Sequence, residues 1–200
     1  MAVAQGRLAS GFWLLSTRVV TTRRQSLDSA RRRSSFPASS LRSAAVSVAV
    51  TLRTVEPSPT AVVPATTTWT EFPRLWGVLL DQVWAFLRSD AAMGLWTHGH
   101  NIMLYQDDVP HVEVGVQVTG TFDPHGQVVP STLPGGPAAT ATHIGPIAGI
   151  GDTHRAVCDW ATANGYTLTR RRWEIYGDPD PATNAVEVEV YWSLMAPQRG

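Results

Sequence analysis

The sequence predicts an α+β fold made of two similar halves, with two helices packed on an antiparallel sheet and a central cleft near the axis relating the halves. Three observations carry this. Apolar residues alternate at a period of two over several short stretches, which is the pattern of half-buried strands. Twice the period changes to three- and four-residue steps, which is the pattern of an amphipathic helix. The order of these stretches between residues 44 and 118 then recurs between residues 127 and 194.

The first strand is expected from Ala44, with Val46, Val48 and Val50 on one side and smaller residues between them. Glu56-Pro-Ser-Pro59 turns the chain, and a short second strand is expected from Thr60 to Pro64. Phe72, Leu75, Trp76, Leu79, Leu80, Val83 and Leu87 form one stripe of a helix running from Thr70 to about Ser89, with Thr70 as its N-cap and Pro73 in its first turn. Strands over Asn101–Gln106 and His111–Val118 complete the half, joined at Asp107-Asp108-Val-Pro110.

The second half follows the same order. Strands are expected at Gln127–Leu133 and Ala138–Ile144, separated by the turn Pro134-Gly-Gly-Pro137. A helix begins at Pro146, turns Ile147, Ile150, Val157, Cys158 and Ala161 inward, and stops at Asn164-Gly165. The last strands are Arg170–Gly177 and Val186–Leu194. Local text repeats as well: Val83-Trp84-Ala85 matches Asp159-Trp160-Ala161, and Met103-Leu-Tyr-Gln-Asp107 matches Glu174-Ile-Tyr-Gly-Asp178.

Charge divides the chain in two. It contains no lysine; up to Arg53 there are nine arginines against one acid, and after it seven arginines against fifteen acids. Residues 1–42 therefore read as a disordered Arg/Ser-rich extension, whose composition also resembles an organellar targeting segment. Residues 43–196 read as one acidic domain, which disfavours direct nucleic-acid binding by the folded part and favours cationic ligands. The single cysteine, Cys158, cannot form an internal disulfide, and no apolar run is long enough to span a membrane, so a cytoplasmic setting is expected.

His143-Ile-Gly-Pro146, a helix ending in Trp160 and Asn164-Gly-Tyr166, Trp173-Glu-Ile-Tyr176 and Glu187-Val-Glu-Val-Tyr191 together resemble the gyrase inhibitor-like (GyrI-like) effector-binding domains. These domains also form the ligand-sensing halves of bacterial regulators of the AraC and MerR types. The resemblance implies a tandem βαββ (SHS2-like) repeat whose central pocket takes hydrophobic, often cationic, compounds, with Glu174 as the pocket glutamate. It also implies alternatives: some relatives resemble hydrolases that act on strained cyclopropane-bearing compounds, and others act through a protein partner such as gyrase or a regulator. No helix-turn-helix is recognisable before Ser43, so a stand-alone binding protein is expected rather than a DNA-bound regulator.

Strand alternation places Glu174 with Tyr176, Glu189 with Tyr191 and Met103 with Tyr105, while Glu113 lies on the neighbouring strand. If these faces meet, the site is lined by tyrosines and up to three carboxylates. The expected ligand-binding set is Glu174, Tyr176, Tyr105, Glu189, Tyr191, Trp96 and Glu113, and an enzyme of this fold would use Glu174 with Tyr105 in acid–base chemistry. Each tyrosine alone is as readily a packing residue, and Glu187 or Glu189, alternating with valines, could mark a wet sheet face. Of the tryptophans, Trp76 and Trp84 suit helix packing; Trp69, Trp96, Trp173 and Trp192 could border the pocket. His98, His100 and His111 do not make a defined metal set, and no cofactor is expected. His143 suits a structural hydrogen bond, and mid-helix Cys158 is a poor nucleophile.

Overall fold

A computed structural model of the chain describes residues 48–195; residues 1–42 and most of the expected first strand before Val50 lie outside the described residues. The strands are β1 (Val50–Val55), β2 (Ser58–Thr66), β3 (Asn101–Tyr105), β4 (His111–Gln117), β5 (Val129–Leu133), β6 (Gly136–Gly145), β7 (Leu168–Tyr176) and β8 (Val186–Leu194). The helices are α1 (Phe72–Leu87) and α2 (Ile150–Ala163).

All eight strands join one antiparallel sheet in the order β1-β6-β8-β7-β3-β4-β2-β5. Exchanging each strand for its counterpart in the other half reverses that order, so the repeat read in the sequence is a pseudo-twofold of the sheet. Its axis passes between β3 and β7, the two central strands. Each half's first strand pairs with the other half's second: β1 with β6, and β5 with β2. The halves are thereby interlocked at both edges of the sheet.

Both helices lie on the same face. Phe72, Leu79, Leu80, Val83 and Phe86 of α1 pack with Ala61 and Val63 of β2 and with Val112, Val114 and Val116 of β4. Val157 of α2 packs with Ala139, Ala141, Val190 and Leu194, with Ile150 and Trp160 at the margin of this cluster. The opposite face, free of helices among the described residues, holds a third cluster of Val62, Ile102, Leu104, Leu133, Ala138, Trp173 and Tyr191. Trp173 and Tyr191 are cross-strand partners there, and their rings stack at 5.0 Å between centroids and 2° between planes.

Three local expectations are corrected. The turn into α1 starts at Thr68, not Thr70: Oγ1 of Thr68 accepts from the backbone N–H of Glu71 at 3.2 Å and donates to Oε2 of Glu71 at 3.1 Å. This is a variant of the capping box, and it places Trp69 in the turn at the mouth of the helix. In the second half, Pro146 opens a short 3-10 turn, Ile147–Gly149, and α2 proper begins at Ile150. The buried positions of α2 are Thr153, Val157 and Ala161, so Cys158 is only half-buried at the edge of the stripe. His143 is structural: its ring nitrogens lie 3.2 Å from Oγ1 of Thr153 and 3.1 Å from the carbonyl oxygen of Pro146, tying the start of α2 to β6. Among the described residues, no helix is long and apolar enough to cross a membrane.

Candidate functional site

α1 rests on β2 and β4, and α2 on β6, β8 and β1, so β3 and β7 run between the helices. Side chains on the helix side of these two strands are covered by other side chains rather than by helix backbone. That is where Glu174 lies, on β7, only 3% exposed. A carboxylate so deep in an apolar sheet is costly unless its oxygens find donors.

Three donors meet it. Tyr176, two residues along the same face, makes a short hydrogen bond to Oε2. Tyr105, from β3, donates to the same oxygen at 3.3 Å. On the other side, Nε2 of His154, reaching down from α2, lies 2.7 Å from Oε1. The second ring nitrogen of His154, Nδ1, accepts from the indole N–H of Trp192 at 3.0 Å. An indole can only donate, so Nδ1 must carry a lone pair and the proton must sit on Nε2, directed at Glu174. The chain of bonds therefore runs from Trp192 through a neutral His154 to Glu174, and every donor is already used. Burial, reinforced by the adjacent Glu174, pushes the hydroxyls of Tyr105 and Tyr176 well above the usual tyrosine range, so both stay protonated as donors.

Beside this carboxylate lies a buried cation. Arg172, two residues before Glu174 on the same face, is 8% exposed. Its cross-strand neighbours are Tyr105 on one side and Trp192 on the other. Its guanidinium carbon lies 5.1 Å from the Tyr105 ring, 4.9 Å from the Trp192 ring and 5.4 Å from that of Trp69. The guanidinium is held by Oδ1 of Asp108 at 3.0 Å and by the carbonyl oxygen of Arg170 at 3.2 Å. Trp69 also packs at 5.7 Å on Tyr105, whose ring meets Phe72 edge-on at 5.8 Å.

The expected set of site residues is thus divided. Glu174, Tyr105 and Tyr176 come together. Glu113, Glu189 and Tyr191 do not join them, because register sends them to the helix-free face: Glu189 pairs with Ile175 and Tyr191 with Trp173, each one residue out of phase with Glu174. There Tyr191 donates to Glu189 at 2.9 Å, and Glu113 accepts from Gln106 at 2.7 Å and Ser131 at 2.6 Å. Trp96 is a packing residue of the first half, edge-on to Trp84 at 5.2 Å and bonded through its indole N–H to the carbonyl oxygen of Gly99 at 2.8 Å. Among the other tryptophans, Trp69 and Trp192 border the site and Trp173 does not. His111 is paired with Asp107 in the β3–β4 turn, with Nδ1 2.5 Å from Oδ2.

Sequence reasoning missed His154 and Arg172. The signal for His154 was its place on the inward stripe of α2, four residues after Ile150 and three before Val157. For Arg172 it was the same alternation that put Tyr176 beside Glu174, applied one step in the other direction.

The fold is thus an α+β domain built as an interlocked tandem repeat, with a buried glutamate at its axis. A model of the GyrI-like small molecule binding domain matches residues 49–195, and the chain belongs to that family. Among solved structures it is similar to the C-terminal domain of EcmrR, at 18% identity and a TM-score of 0.61, over 74% of this chain and 98% of that one. Against EcmrR bound to DNA the identity is 17% and the TM-score 0.63 over 75% of this chain, which spans 58% of the EcmrR chain. SAV2435 bound to tetraphenylphosphonium is similar at 11% identity and a TM-score of 0.50, over 74% of this chain and 94% of that one. A search of curated proteins gives no match to the sequence.

Proposed function

We propose that the domain binds a small, largely apolar molecule on the helix side of the sheet, between α1 and α2, with Glu174 as its polar anchor. The observation that carries this reading is the burial of Glu174 at the pseudo-twofold axis with three donors arranged around it. A buried carboxylate held this way contributes little to stability compared with an apolar residue, so its presence points to a use. Tyrosines and tryptophans around one polar group are also the ordinary composition of a ligand pocket.

Entry of a ligand has a defined cost here. The carboxylate has no spare donor to lose, so the ligand must replace Tyr105 or Tyr176 with a donor or positive charge of its own, and it must move Trp69, which is 48% exposed at the mouth of α1. SAV2435, of the same fold, binds tetraphenylphosphonium, and that compound is a suitable first probe. A catalytic version of the same reading, in which Glu174 acts on water or on an electrophile, uses the same residues.

The test is a thermal-shift and fluorescence screen of the full chain beside Glu174→Gln, with mass spectrometry of every mixture. Binding predicts stabilisation of the wild type that is lost in the variant, with compound masses unchanged. A hydrated product would convert the reading to hydrolysis. A chain that responds to no compound would overturn both and favour a surface interaction with a protein partner.

A further inference from the structure

Three rings surround the guanidinium of Arg172 at 4.9–5.4 Å, within the distance at which an aromatic face attracts a cation. The cage has a sheet-built floor and a movable wall. Tyr105 and Trp192 are fixed by their register on either side of Arg172, whereas Trp69 belongs to the turn that precedes α1. The cage also shares Tyr105 and, through His154, Trp192 with the Glu174 network. An external organic cation approaching Glu174 would therefore seek rings that already hold a positive charge, tethered at 3.0 Å by Asp108.

We infer that Arg172 is a specificity-determining residue that occupies the aromatic cage as an internal cation, so that the site favours neutral, hydrogen-bond-donating apolar ligands over lipophilic cations. This rests on the binding reading given above. A neutral ligand replaces a tyrosine donor at Glu174 and leaves Arg172 in place. A cation must first expel the guanidinium from three ring faces, and its apparent affinity falls by the fraction of molecules in which the cage is free. Arginine suits the role better than lysine, since its planar, weakly hydrated head stacks on rings and keeps its charge when buried.

The experiment compares two probes of similar bulk, tetraphenylphosphonium and the neutral triphenylmethanol, by calorimetry on the full chain. Wild type is compared with Arg172→Met, which keeps the length of the side chain without its charge, and with Glu174→Gln. The inference expects wild type to prefer triphenylmethanol, and Arg172→Met to gain about tenfold or more for tetraphenylphosphonium while changing less than about threefold for triphenylmethanol. Equal or weaker cation binding by a folded Arg172→Met would overturn it, whatever wild type does. If Arg172→Met does not fold, Asp108→Asn decides, since Asp108 is 60% exposed at its side chain and tethers the guanidinium from outside. A gain of about twofold for the cation supports the inference, and none overturns it. Failure of the binding reading looks different: triphenylmethanol would bind Glu174→Gln as well as wild type, or bind neither.

Discussion

Met103 and Glu174 face each other across the β3–β7 pairing, and they occupy the same position in the two halves of the repeat. The pseudo-twofold axis thus passes between a thioether and a carboxylate. The tyrosines two residues beyond each, Tyr105 and Tyr176, are equivalent in the same way, and both hydroxyls lie 3.5 Å from Sδ of Met103 as well as close to Oε2 of Glu174. A symmetric backbone presents two tyrosines, and the exchange of Met103 for Glu174 between the halves supplies the charge they share.

The first prediction concerns that charge. Glu174→Gln should fold, because its amide oxygen can accept from His154 while its NH₂ donates to a tyrosine oxygen, and hydroxyls can turn to accept. The loss is expected to be about 1 kcal/mol. Glu174→Ala leaves three buried donors without an acceptor and should lose about 3–5 kcal/mol. Urea unfolding of the two variants beside wild type measures the difference, and an alanine variant as stable as the glutamine one would contradict the network.

A second prediction concerns the tautomer of His154. Nitrogen chemical shifts of the imidazole should show the proton on Nε2 in the wild type, since Nδ1 is bound to the indole of Trp192 at 3.0 Å. Trp192→Phe removes that donor, and the Nδ1 resonance should move, while the carboxylate of Glu174, which can only accept, keeps the proton on Nε2. An Nδ1 resonance that does not move in the variant would contradict the bond to Trp192, and an Nδ1–H tautomer in either protein would contradict the bond to Glu174.

The repeat and most elements were legible in the sequence, and β8 was read at its observed bounds, Val186–Leu194. So was the convergence of Glu174, Tyr176 and Tyr105, because alternation within a strand and the repeat between strands both pointed to it. Alternation cannot say which face of one strand continues which face of the next. That is a matter of register, and a one-residue offset at β7–β8 carried Glu189 and Tyr191 to the far side of the sheet. Arg172 was hidden for a different reason: a run of three arginines reads as a solvated surface, and only Tyr105 and Trp192 on the adjacent strands make its third member a buried one.

The third prediction uses alkaline pH. Burial, with a hydrogen bond to Glu189, pushes the Tyr191 hydroxyl up to about 12, and burial beside Glu174 raises those of Tyr105 and Tyr176 well above the usual tyrosine range. A folded value raised above the unfolded one, near 10, means that these groups favour the folded state below that pH and cease to do so as pH climbs through their folded values. Tyrosinate absorbance from these three residues should therefore be nearly absent at about pH 10.5 and appear together with the loss of near-ultraviolet circular dichroism. Their titration at about pH 10 in a folded chain would contradict the burial described.

At the acid end, the β3–β4 turn is expected to weaken. The carboxylate of Asp107 accepts from the backbone N–H of His111 at 3.0 Å, contacts the His111 ring, and accepts from the N–H of Val109 at 2.9 Å, which together hold its pKa at about 2. A depressed value contributes stability above the unfolded pKa of about 3.9, and that contribution is lost as pH falls through about 2. Asp107→Ala should melt below the wild type at neutral pH, and the gap should close on acidification to about pH 2. A gap that does not change with pH would assign the effect to packing.

The most direct test of the central claim, that the ligand site is built around Glu174 on the helix side of the sheet, is the dissociation constant of one stabilising compound measured for three single variants. Glu174→Gln should weaken binding by about tenfold or more, as expected for losing a buried charged anchor. Glu113→Gln and Glu189→Gln, on the helix-free face, should bind as the wild type does. Weakening by either of the last two, with Glu174→Gln unaffected, would move the site to the other face and contradict the account.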